Sequence, residues 1–399
     1  MIPVAAKSRS AAVLRVADRV LAPTYARPDT LFVAGEGSWL EDAQGNRFLD
    51  FTSGICVNAL GHSAPAVVAG IQAGSRGLIH TSNLFHTEPA VELAAELVRL
   101  SFADRVFFCN SGAEANEAAI KFARLCGGPG RRTVVSFSGS FHGRTLGTLA
   151  ATDREEYRTP FTPLAGGFVT ASWNDEDALT DLDEGTAAAI VEPIQGESGV
   201  RVPDERWLRA LRRRCDDAGA CLVFDEVQTG VGRCGTLWAH ESFGVMPDLM
   251  TLAKPLAGGL PIGAVLMTEP VAETIRPGCH GTTFGGGPFV ATVARHVLGA
   301  IADRDFLDGV RASGERLRDR LASLSSPAVH EVRGAGLLLG VRVDRSAHVR
   351  AAAFEERLLL APAGDDVLRF VPRLDVTDEE LDEAVARFER ALARVEDTA

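Results

Sequence analysis

Lysine is nearly missing from this chain. Lys and Arg together number 41 among 399 residues, yet only Lys7, Lys121 and Lys254 are lysines. Chemistry that needs a primary amine therefore has three candidates. Long apolar runs are missing too. None approaches the roughly 20 residues of a membrane-spanning helix, and the N-terminus lacks the continuous apolar core of a signal peptide. The expected compartment is the cytoplasm, with no membrane partner. The seven cysteines stand singly, with no C-x-x-C pair. That pattern fits reduced thiols and excludes a disulfide framework or a zinc site, so no metal is expected. A net charge of −12 opposes contact with a phosphate backbone and excludes nucleic acid as an expected partner. Internal repeats and low-complexity linkers are likewise absent.

What is present is a globular composition, 46% hydrophobic and 24% charged, long enough for two or three structural units. Residues 8–27 carry a loose apolar face and predict a helix, with Lys7 in a tail before it. Apolar pieces at 31–33 and 38–40, the polar run Asp42 to Asn46 and the segment Arg47 to Asp50 read as strands around a hairpin turn. Helices are predicted at 64–75 and 88–100, the second capped by Thr87, with Pro89 where a missing N–H costs nothing. Between about 104 and 268 short apolar runs alternate with helices. The runs are 105–109, 133–137, 187–192, 221–226, 249–253 and 262–267. A helix at 204–217 is capped by Asp204, has Trp207, Leu208, Leu211 and Cys215 on one face, and is followed by Gly219. Strands separated by helices predict a mainly parallel α/β sheet. Strands at 332–343 and 367–371 follow, and a terminal helix opens on Thr377-Asp378-Glu379-Glu380, a capping-box pattern. The layout is a large central α/β domain plus a smaller α+β domain built from both chain ends.

Chemistry concentrates between Cys221 and Pro261. One apolar run delivers Asp225-Glu226 to a polar turn, and another delivers Lys254 to a Pro/Gly-rich turn. Buried parallel strands present functional groups at their carboxyl ends. An amine and an acid so placed suggest a pyridoxal-phosphate site, with the lysine carrying the cofactor and the acid keeping its pyridine nitrogen protonated. Lys121 falls mid-helix, which leaves Lys254 as the one lysine at a strand-to-turn junction. Ser111, Gly112 and Ala113 open a helix, where free N–H groups and small side chains suit a phosphate; an ordinary capped helix is the alternative. Phe141 could stack on a flat cofactor while Arg144 grips a carboxylate, against the plain alternative of a core phenylalanine and a surface arginine. His142 is given no acid–base role. Glu192 and Glu197 put carboxylates at and beyond a strand end, or merely form a solvated turn. Gly281-Thr282-Thr283-Phe284-Gly285 offers hydroxyls and N–H groups for a phosphate, or a flexible connection. The cluster Gly334-Ala335-Gly336 has no βαβ unit around it and is rejected as a dinucleotide loop.

Six motifs in order, NSGAEANEAAIK, SFHGRT, VEPIQGE, FDEVQTGVGRCG, AKPLAGGLPIGA and HGTTFGG, make the chain resemble the class III aminotransferases over essentially its whole length. These are fold-type I pyridoxal-phosphate enzymes that include acetylornithine, ornithine and 4-aminobutyrate aminotransferases, and the acetylornithine branch looks nearest. The resemblance implies a large domain at 61–290 with a mainly parallel seven-stranded sheet, and a small domain assembled from 1–60 and 291–399. It implies that Lys254 carries the cofactor and then moves the proton, and that Asp225 pairs with the ring nitrogen. Val227 and Phe141 would sandwich the ring, and Gln228 would bond its phenolic oxygen. Ser111, Gly112 and Ala113 would hold the phosphate, joined by Thr283 from the second subunit of a homodimer. Arg144 and Glu192 would face the substrate. Glu197 and Arg369 would form a switch, paired for an ω-amine donor and opened for the α-carboxylate of glutamate or 2-oxoglutarate. The implied reaction moves an ω-amino group from N-acetylornithine to 2-oxoglutarate by a ping-pong mechanism.

The chain departs from the family pattern at several points. Ile55 stands about where ornithine-specific members have tyrosine, which argues against free ornithine. Ser63-Ala64, His86 and Gly287 replace residues common in the acetylornithine branch, and they bear on the donor more than on the chemistry. Another ω-amino donor (ornithine, lysine, 4-aminobutyrate, diaminobutyrate or a specialised biosynthetic amine), a racemase or decarboxylase of the same fold, and a silent scaffold stay open as alternatives.

Overall fold

The structure, a computed structural model, describes residues 4–397. Its centre is a seven-stranded sheet in the order Arg105–Cys109, Gly263–Met267, Leu249–Leu252, Cys221–Asp225, Thr186–Val191, Thr133–Phe137, Phe168–Ala171. Gly263–Met267 runs antiparallel to both neighbours, and the other pairings are parallel. The sheet is therefore mainly parallel, as expected.

Its inner strands read as unbroken apolar runs because helices cover both faces. Successive side chains point to opposite faces. Val134, Ala188, Ile190 and Val223 pack with Ala115, Ala119 and Phe122 of the Gly112–Gly127 helix. Val135, Ala189, Val191, Leu222 and Phe224 pack with Trp207, Leu208, Leu211 and Cys215 of the Glu205–Ala218 helix. That helix starts where the Asp204 carboxylate accepts the Arg206 N–H, and it ends at Gly219 with φ 64°. Phe168–Ala171 was not foreseen. It is a four-residue edge strand exposed at Val169 and Thr170, so no buried apolar run marks it.

Both chain ends meet in a second sheet. Phe32–Glu36, Trp39–Asp42 and Arg47–Asp50 form an antiparallel meander, and Leu358–Leu359 joins its last strand in parallel. The Asp42 carboxylate ties the turn, accepting the N–H groups of Gln44 and Asn46 at 2.8 Å each. A third sheet holds Val329–Ala335, Leu338–Val343, Val367–Phe370 and Ala361–Ala363.

Three local expectations need correction. The strand expected at 332–343 is a hairpin that turns at Gly336, φ 51°. The apolar Leu337-Leu338-Leu339 run concealed its corner. Lys7 lies within the Val4–Val20 helix rather than a tail, and that helix stops well short of residue 27. Thr87 occupies the N-cap of Glu88–Arg99, but its hydroxyl makes no capping bond.

The Asp378–Glu396 helix has the expected capping box between Thr377 and Glu380. It lays Leu381, Ala384, Phe388 and Leu392 into the largest core cluster. Among the described residues no helix is long and apolar enough to cross a membrane. Phe388 is fully buried with its ring 5.1 Å from that of Phe370. Phe388→Ala is expected to destabilise the chain by about 3–5 kcal/mol, seen as a lowered thermal midpoint.

Candidate active site

Lys254 and Asp225 come from adjacent parallel strands, with Asp225 opposite Thr251 across the pairing. Both line one cavity of about 410 Å³ at the carboxyl edge of the sheet. Ser111, Gly112, Ala113, Phe141, Arg144, Glu192, Val227 and Gln228 line it as well. Ten of the thirteen residues singled out in the sequence thus share one wall.

Asp225 is 3% exposed, and its Oδ2 accepts from Asn116 Nδ2 at 2.7 Å and from His142 Nδ1 at 2.8 Å. Its Oδ1 accepts the Val227 N–H at 3.1 Å and has only a long 3.5 Å contact to Thr251 Oγ1. Asn116 is held in turn, donating to the His142 carbonyl at 2.8 Å and accepting from Thr251 Oγ1 at 2.7 Å. A buried carboxylate stays ionised at modest cost only when such donors surround it. Asn116, His142 and Thr251 were missed from sequence. One signal existed, because Asn116 lies four residues after Gly112 and so on the same helix face. The neighbouring Glu226 is buried structure. It accepts the N–H groups of Ala239 and His240 at 2.6 and 2.9 Å, and bonds His240 Nδ1 at 2.8 Å.

Ser111 caps the Gly112–Gly127 helix by accepting the Glu114 N–H at 3.2 Å. The first-turn N–H groups of Gly112 and Ala113 lack intrahelical partners by the geometry of a helix start. A side chain at Gly112 would put Cβ 2.6 Å from Val227 Cγ1, so glycine lets the helix end approach Val227. Phe141 lies across the cavity, its N–H donating to Glu192 Oε2 at 3.0 Å.

Glu192 is 5% exposed. Burial pushes its carboxyl up to about 7, aided by Asp225 and Glu197 and opposed by His142 and the Phe141 N–H. Arg144 is exposed, and its guanidinium carbon lies 3.4 Å from the ring centroid of Tyr157 and 5.7 Å from that of Phe141.

Behind Gln228 lies an ion pair. Arg369, 1% exposed, donates through Nη1 to Glu197 Oε1 and to Gln228 Oε1, each at 2.7 Å, and Gln228 Nε2 donates to Glu197 Oε1 at 3.2 Å. Burial raises the Glu197 carboxyl, but the charges of Arg369 and Lys254 and the hydrogen bonds from Arg369 and Gln228 together outweigh it and hold it below the usual range. Glu197 and Arg369 do not themselves line the cavity.

Thr283 stands elsewhere. It lines a second cavity of about 240 Å³ with His80, Asn83, His86 and Gly285. Leu78, Ile79, Leu84, Phe85 and Phe284, in the segments that form this cavity, are large apolar side chains left exposed.

The first cavity suits one kind of guest. Phe141 and Val227 can flank a flat ring, Asp225 keeps Oδ1 lightly engaged for a ring N–H, a helix start awaits a phosphate, and the amine is Lys254. The donor set fits pyridoxal phosphate, and an enzyme built this way handles amino groups. The family profile of class III aminotransferases matches residues 21–392, and the chain belongs to that family of pyridoxal-phosphate enzymes. It is 47% identical over 384 residues to acetylornithine aminotransferase 1 of Bradyrhizobium diazoefficiens, covering 94% of this chain and 95% of the other. Among solved structures, the ornithine aminotransferase of Toxoplasma gondii ME49 superposes with a TM-score of 0.94 at 32% identity, covering 98% and 96% of the two chains. The N-acetylornithine aminotransferase of Stenotrophomonas maltophilia K279a does so at 0.84 and 38%, covering 97% and 100%.

Since the folded-state pKa of Glu192 lies above the ordinary value, its contribution favours folding at low pH and is lost as pH rises through about 7. Glu192→Gln is expected to remove a loss on the order of 2–3 kcal/mol between pH 4.5 and 8 in cofactor-free protein, measured by urea denaturation across pH. An unchanged slope against pH would mean that Glu192 ionises freely.

Proposed function

We propose that this aminotransferase takes the terminal amino group of N-acetylornithine and delivers it to 2-oxoglutarate, giving the semialdehyde and glutamate. The observation that carries the proposal is the buried Arg369–Glu197 pair at 2.7 Å with Gln228 across it. A donor entering by its ω-amine brings no carboxylate to the reacting end, so an arginine there needs a charge partner. The five-carbon diacid brings an α-carboxylate to the same place and needs the arginine free. Glu197 serves the first case and yields Arg369 in the second, so neither ligand leaves an unpaired buried charge. The acetylornithine aminotransferase name of the Bradyrhizobium relative supports this donor.

Bound pyridoxal phosphate supplies an electron-poor ring that stores the charge released when a C–H bond breaks. The chain does the rest. Ser111, Gly112 and Ala113 offer hydroxyl and N–H groups to the phosphate. Asp225, held by Asn116 and His142, keeps a proton on the ring nitrogen. Gln228 Nε2 has a second N–H to offer the phenolic oxygen beyond the one given to Glu197. Lys254 Nζ carries the cofactor and, once free, moves the proton from the substrate carbon. Arg144 binds the distal carboxylate, with Glu192 beside it.

The enzyme is proposed to act as a homodimer, each subunit lending Thr283 to the other's phosphate. Support comes from the exposure of Thr283 away from its own Lys254, and from the apolar rim of Leu84, Phe85 and Phe284 around it. The cytoplasm is the proposed compartment, supported by seven free cysteines, five of them buried. A second reading, another ω-amino donor, draws on His86, which shares the Thr283 cavity and would reach a partner's entrance in such a dimer.

Half-reaction spectra with N-acetylornithine, ornithine, lysine, 4-aminobutyrate, diaminobutyrate and glutamate are expected to bleach the cofactor band fastest with N-acetylornithine and glutamate. A faster bleach by another ω-amine would transfer the donor role to it, and turnover without any 2-oxo acid would sink the transaminase mechanism. Lys254→Ala is expected to lose both the visible cofactor band and turnover. Glu197→Ala should slow the ω-amine half-reaction by about 10-fold or more while affecting the glutamate half far less; equal losses would remove the switch.

A further inference from the structure

Arg144 has no ion pair and no hydrogen bond among the described residues, although the chain carries twelve more acidic than basic side chains. Its guanidinium is instead parked on an aromatic shelf. The guanidinium carbon is 3.4 Å from the Tyr157 ring centroid, and the Tyr157 and Phe141 rings stand edge to face at 6.2 Å and 85°. Tyr157 does not line the Lys254 cavity, whereas Arg144 and Phe141 do. It approaches from the Glu155–Arg158 helix and is half-buried. Stacking restrains the fork of an arginine without occupying its N–H donors, whereas a carboxylate partner would consume them and lower the net charge. From this geometry we infer that Tyr157 is a positioning residue that sets substrate affinity, holding Arg144 flat and uncompensated so that its donors meet the carboxylate of an incoming amino acid.

The inference rests on the proposal that Arg144 binds the substrate's distal carboxylate, and the experiment separates the two. Tyr157→Leu, Tyr157→Phe and Arg144→Ala holoenzymes are compared with the unaltered protein. The donor is N-acetylornithine, or whichever ω-amino acid the half-reaction screen selects, set beside its decarboxylated counterpart. Glutarate, which carries carboxylates but no amine, provides a non-reacting probe whose dissociation constant is read by calorimetry. For Tyr157→Leu, KM for the carboxylate-bearing donor and the glutarate dissociation constant are expected to rise about 3- to 30-fold with kcat nearly unchanged, the span of an arginine–aromatic contact. The decarboxylated donor should be unaffected, and Tyr157→Phe, which keeps the ring face, should restore both values. Equal losses for the two donors, or failure of Tyr157→Phe to restore, would make Tyr157 merely structural and overturn the inference. A rise in KM with Arg144→Ala but not with Tyr157→Leu would overturn it too while leaving the Arg144 proposal standing. An Arg144→Ala enzyme with unchanged KM and glutarate affinity would overturn both.

Discussion

A single carboxylate with almost no access to water, that of Asp225, organises the centre of this molecule. Leaving such a charge unsolvated costs several kcal/mol, and only fixed donors offset it. The chain supplies them from three elements: Asn116 from the helix after the first sheet strand, His142 from the turn after the second, and the Val227 N–H from the turn that Asp225 itself begins. Strand order, helix placement and the paired Thr251 all converge on this atom group. The Gly112 helix start and Lys254 take their places on the same wall because those elements must already be there.

The second buried charge pair works by the opposite logic. Where Asp225 is held by Asn116, His142 and the Val227 N–H, Arg369 is held by Glu197 and Gln228, of which Gln228 lines the cavity. Gly196 leaves just enough room for the Gln228 side chain, which a Cβ at that position would strike. Under the proposed switch, the Asp225 cluster stays in place while the Arg369–Glu197 pair opens. The first suits a cofactor that stays, the second a pair of substrates that alternate.

Much of this was legible in the chain. The two apolar runs ending at Asp225 and Lys254 are buried on both faces, which is why continuous hydrophobicity marked them. Lysine scarcity isolated Lys254. What escaped notice has common physical causes. The Phe168–Ala171 strand is an exposed edge, the 329–343 hairpin hides its turn inside an apolar run, and Thr87 sits at a helix start without capping it. His142 and Thr251 act through other side chains across long sequence separations, so no local pattern announces them, and Asn116 left only its place one turn after Gly112. Glu226 taught the reverse lesson: of two adjacent carboxylates, one serves the cavity while the other is spent on a buried turn.

The span of the Asp225 and Arg369 contacts also bears on how the protein comes into being. Asp225 meets partners 109 and 83 residues away, and Arg369 meets Glu197 at a separation of 172. Contacts of such range form late, after loop closure has been overcome. During synthesis the amine at position 254 leaves the ribosome more than a hundred residues before Arg369, the partner of Glu197. At that point Arg144, Glu192 and Glu197 are already made, and Glu197 alone among them still waits for its partner, Arg369.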